Sequence, residues 1–69
     1  MRITVFRVEG MHCEGCAHAV KNTLTSLQGV ERVMVMLGEG KVIVAYNPEM
    51  IGVERIADAI EAIGYRVKR

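Results

Sequence analysis

The apolar residues of this 69-residue chain switch between two spacings, and the order of the switches leaves few folds open. Residues 2–8 alternate, as a half-buried strand does. Ala17, Val20, Leu24 and Leu27 recur at spacings of three and four, which predicts a helix over about 14–27 that Gly29 stops. Val33, Val35 and Leu37 alternate with Met34 and Met36 in a second strand. Gly38-Glu39-Gly40 then marks a hairpin turn. Val42, Val44 and Tyr46 alternate with Ile43 and Ala45 in a third strand, which Asn47-Pro48 breaks. Val53, Ile56, Ile60 and Ile63 predict a second helix over about 52–63, and Gly64 ends it. Tyr65 to Lys68 forms a short last strand. The order β-α-β-β-α-β predicts an α+β, ferredoxin-like sandwich: a four-stranded antiparallel sheet with both helices on one face. The first strand then lies between the third and the last, and the second lies at an edge. Nothing resembles a linker, so residues 1–69 read as one domain.

Composition narrows the class. A chain this short has one modest core, and its 51% apolar content suffices to fill it. No apolar run approaches the roughly 20 residues of a membrane span. The alternating start, Met1-Arg2-Ile3-Thr4-Val5-Phe6-Arg7, lacks the apolar stretch of a signal peptide, so a cytoplasmic location is expected. A net charge of +1 gives no footprint for nucleic acid, and Phe6, Tyr46 and Tyr65, the three aromatics, are too few for base stacking. No general base, paired carboxylates or phosphate loop marks an enzyme.

The chemistry is concentrated in Gly10-Met11-His12-Cys13-Glu14-Gly15-Cys16, which holds both cysteines. They sit between a strand and the start of a helix, where the helix dipole and unpaired N–H groups favour thiolate over thiol. A disulfide between Cys13 and Cys16 closes too small a loop to stabilise the fold much. Two thiolates one helical turn apart converge on one small ion, and soft sulfur selects Cu(I), with zinc and iron–sulfur as other options. Structural zinc wants four protein ligands. His12 and His18 are poorly placed to complete such a set: one adjoins Cys13, and the other lies two residues past Cys16 on a different helix face. Disulfide exchange is the competing reading, since thioredoxin-like proteins also place C-x-x-C at a helix start. Their fold is usually larger, and Pro48 precedes a helix and not a strand facing the site.

Gly10-Met11-x-Cys13-x-x-Cys16, the element order and the late Gly64-Tyr65 together resemble a heavy-metal-associated domain of the copper-chaperone type, over essentially the whole chain. The resemblance implies Cys13 and Cys16 as Cu(I) ligands, with Ag(I), zinc or cadmium as further ions bound in vitro. It implies Met11 as a buried prop under the binding loop and Tyr65 as a residue near the site. Zinc- and cadmium-handling members often carry Asp before the first cysteine, where this chain has His12. The function implied is a carrier that hands copper to the metal-binding domain of a copper-transporting P-type ATPase. An isolated domain of such an ATPase and a small dithiol redox protein are the alternatives.

The remaining residues have plainer readings beside functional ones. Met11 is better as a gap filler than a ligand. His12 reads as a solvated loop residue that could tune the thiolates, and His18 as a surface helix residue at a docking face. Tyr65 is either a core aromatic with a wet hydroxyl or a shield for the site. The predicted second helix, with Glu54, Arg55, Asp58 and Glu61, is net acidic, and Lys21 on the first is a candidate docking contact. Both sheet faces look apolar. Phe6, Val8, Val33, Val35, Val42 and Val44 are expected to face the helices. Ile3, Val5, Met34, Met36, Ile43 and Ala45 are left on the open face, where a one-sided sheet is normally polar. Such a patch suggests an interface with a second copy or a partner domain, rimmed by Arg7, Arg66 and Lys68, so a homodimer through this face or through the metal site is a further expectation. Met34 and Met36 share that face, but packing is the better reading than a thioether site.

Overall fold

The structure is a computed structural model that describes residues 1–11 and 14–68. Its elements are β1 (Arg2–Glu9), α1 (Glu14–Thr25), β2 (Val30–Met36), a single 3-10 turn (Leu37–Glu39), β3 (Lys41–Tyr46), α2 (Val53–Ala62) and β4 (Arg66–Lys68). The strands form one antiparallel sheet in the order β2-β3-β1-β4. This is the expected ferredoxin-like sandwich, with β1 central and β2 at an edge.

Alternation decides which side chains go inward. Phe6 and Val8 on β1, Val33 on β2, Val42 and Val44 on β3 and Val67 on β4 are buried under the helices. The helices return Val20 and Leu24 from α1, and Ile56, Ala57, Ala59 and Ile60 from α2. Leu24, Ile56, Ile60 and Val20 are fully buried, each contributing roughly 1.5–3 kcal/mol relative to an exposed side chain. Val35, Leu27 and Ile63 pack at the margin of this core.

Four details differ from the sequence expectation. α1 ends at Thr25 rather than near 27. There Thr25 Oγ1 donates to the Lys21 carbonyl at 2.9 Å and Ser26 Oγ to the Thr23 carbonyl at 2.7 Å. Hydroxyls that take up backbone carbonyls compete with further helical bonds. β2 begins at Val30, earlier than its alternation suggested, because a bulge between Val30 and Arg32 shifts the register. The β2–β3 connection starts at Leu37 as a 3-10 turn and closes at Gly40, which adopts φ +64°. α2 begins at Val53 and ends at Ala62, with Gly52 as its N-cap.

Candidate metal centre

β1 and α1 deliver the cysteine segment to one end of the sandwich. β1 ends at Glu9, Gly10 follows at φ +98°, and Met11 turns back into the core, only 6% exposed. The expected buried methionine is therefore in place. His12 and Cys13 lie outside the described residues. α1 starts at Glu14, so Cys16 is in its first turn, where backbone N–H groups have no intrahelical acceptor. Cys16 is half-buried and packs against the core cluster. Core contact below and solvent above suit a sulfur held in one position yet reachable by an incoming ligand. The N-terminal end of the helix dipole favours negative charge on that sulfur. Glu14, in the same turn, is exposed.

Tyr65 reaches this end from the other terminus. It is half-buried between α2 and β4, and a Cβ placed on Gly10 would lie 3.3 Å from its Cδ1 atom. The ring thus lies across Gly10, at the point where β1 hands over to the cysteine segment. Sequence reading put Tyr65 near the site only through family resemblance, and did not pair it with Gly10. The usable signal was present: a glycine at a strand end next to a glycine-aromatic pair entering the neighbouring strand.

His18 and Lys21 are exposed on α1 and flank a shallow groove against β2, lined also by Ala17, Val33 and Met34. Among the described residues, no three His, Cys, Asp or Glu side chains come together as a metal cage. Met34 and Met36 are on the open sheet face, two residues apart on β2.

A βαββαβ sandwich with an apolar prop and a cysteine at the start of α1 defines a small metal-handling domain. The sequence profile of the heavy-metal-associated domain matches residues 5–66, and the chain belongs to that family. It is 42% identical over 69 residues to the copper chaperone CopZ of Bacillus subtilis, covering 100% of both chains. It is 37% identical over 62 residues to the human copper-transporting ATPase 2, covering 90% of this chain and 4% of that much longer protein. The fold superposes on the solved CopZ metallochaperone with a TM-score of 0.95, at 37% identity and covering 97% of this chain and 100% of that one.

Proposed function

We propose that this protein is a Cu(I) carrier that holds one ion on Cys13 and Cys16 and passes it to the metal-binding domain of a copper-transporting P-type ATPase. The observation that carries this reading is Cys16 in the first turn of α1, five residues after the buried Met11, in a chain matched end to end by a copper chaperone. The soft thiolate pair selects Cu(I) over harder ions; Ag(I) shares that softness, while zinc and cadmium are weaker candidates.

Mechanism follows from coordination. Two thiolates leave Cu(I) open to a third. A thiolate of the receiving domain attacks the ion, a three-coordinate bridge forms, and one of the donor sulfurs leaves. Copper is conserved, its oxidation state is unchanged, and it is never released to water. Cys16 is anchored by the helix and core packing, so Cys13 is assigned as the sulfur that exchanges first. The protein acts as a carrier and not as a catalyst. A cytoplasmic setting fits a reduced thiol pair, and among the described residues no helix is long and apolar enough to cross a membrane.

The test is an anaerobic Cu(I) titration against a competing chelator, wild type beside the Cys13→Ser/Cys16→Ser variant. One-to-one binding abolished in the variant is the expected result. Weak binding by the wild type would instead favour disulfide exchange, and the reduction potential of the dithiol would then be measured.

A further inference from the structure

The charges of this chain are divided between its two faces. The register places Arg7 beside Lys41 and Lys68, with Arg32 opposite Ala45 and Arg66 opposite Glu9. By strand alternation all of these project from the sheet face away from the helices. Among the described residues, that face carries five of eight cations, Arg7, Arg32, Lys41, Arg66 and Lys68, against Glu9, with Glu31 and Glu39 at its margins beside Arg32 and Lys41. The remaining five carboxylates lie on α1, on α2 and in the loop before α2. A chain of net charge +1 therefore carries an excess of cations on its open sheet face.

The same cationic face is greasy at its centre. Ile3 is 71% exposed, and Val5 and Met34 are each 54% exposed. Val5 and Met34 flank Ile43 in one cross-strand row, bordered by the row of Arg7, Lys41 and Lys68. On this face Lys41 pairs with Glu39 at 3.4 Å and Lys68 with Glu9 at 3.9 Å, exposed contacts that are weak in water. A second copy is a poor occupant: two such faces packed together would juxtapose like charges.

We infer that the open sheet face docks on an anionic lipid surface, with Ile3, Val5 and Met34 entering the headgroup boundary and the arginines and lysines resting on the phosphates. Flexible cationic stems surrounding aliphatic tips match that chemistry, since they keep the charge in the headgroup layer while the apolar stems pack below. Each cation near such a surface strengthens attachment by roughly fivefold. Docking in this orientation turns the acidic helix layer, and α1 with Cys16, away from the lipid. Nothing in it requires bound metal.

The test is co-sedimentation of the reduced, metal-free protein with vesicles of phosphatidylcholine and phosphatidylglycerol in equal parts, and with vesicles of phosphatidylcholine alone. Three proteins are compared after circular dichroism establishes that each is folded: wild type, Arg7→Glu/Lys41→Glu on the sheet, and Lys21→Glu/Arg55→Glu on the helices. Wild type and the helix variant are expected to bind the anionic vesicles and release them as salt is raised. The sheet variant is expected to partition at least roughly thirtyfold more weakly. Equal loss in both variants would reduce the effect to net charge and overturn the inference, as would indifference of the wild type to phosphatidylglycerol. Sedimentation velocity without lipid supplies a further arm. A wild-type dimer that the sheet variant dissociates would assign the face to a second copy instead.

Discussion

Gly29 shows how little room single residues leave in this fold. Its φ is +100°, and a Cβ there would lie 2.8 Å from Ile51 Cγ2 and 2.9 Å from Met50 Cβ. Its carbonyl also accepts the Asn47 N–H at 2.7 Å, which ties the α1–β2 loop to the loop before α2. Gly29→Ala is expected to lower stability by about 3 kcal/mol, from the left-handed backbone and the overlap together, as read by urea denaturation. Gly10 shares the left-handed backbone, at φ +98°, and meets the Tyr65 ring instead of a loop. Half of the candidate site was legible at this scale. The cysteine spacing and the apolar Met11 are local features, readable along the chain. The Gly10–Tyr65 contact is made only when β4 pairs with β1, and no local spacing encodes that pairing.

At the scale of elements, α2 is the helix with an unused improvement. Its N-cap, Gly52, has extended backbone (φ −102°, ψ 160°), makes no side-chain cap, and has nothing within 4 Å of an added Cβ. Gly52→Asp can accept an N–H of the first turn and also stiffens the unfolded chain. A gain of about 0.5–1 kcal/mol is expected, measured as a shift in denaturation midpoint at unchanged m-value. Element types and sheet order were legible because each apolar period matches the layer it packs against. Element ends were less so. Leu27 continues the apolar stripe of α1 into the core while the helix itself stops at Thr25, so the period correctly marks burial and misplaces the terminus. The Val30–Arg32 bulge likewise leaves no trace in the alternation that follows it. Ala45 shows the same limit across strands. Alternation puts it on the open face, yet it is only 9% exposed, because Ile3 and Arg32 flank it on neighbouring strands.

For the molecule as a whole, stability is expected to be modest. A chain of this length has roughly 3–10 kcal/mol to lose. Leu24 is fully buried where α1 meets the sheet, and Leu24→Ala is expected to remove about 2–5 kcal/mol. The variant should be partly unfolded well below the wild-type melting temperature, by thermal circular dichroism. Core truncations will therefore impair metal handling without touching the site, and loss of copper binding in such a variant carries mechanistic meaning only beside a folding measurement.

The pairing of β4 with β1 also fixes how the domain can be joined to other polypeptides. Lys68 lies opposite Arg7 and runs antiparallel to β1, so the chain leaves β4 heading toward the end where β1 begins. Both termini thus exit away from Gly10 and the start of α1. A polypeptide attached at either end trails behind the thiol-bearing tip, and several copies can be strung on one chain with every tip left open to a visitor. That exit geometry makes the sandwich a portable cassette, able to serve as a free protein or as a short stretch of a far larger one.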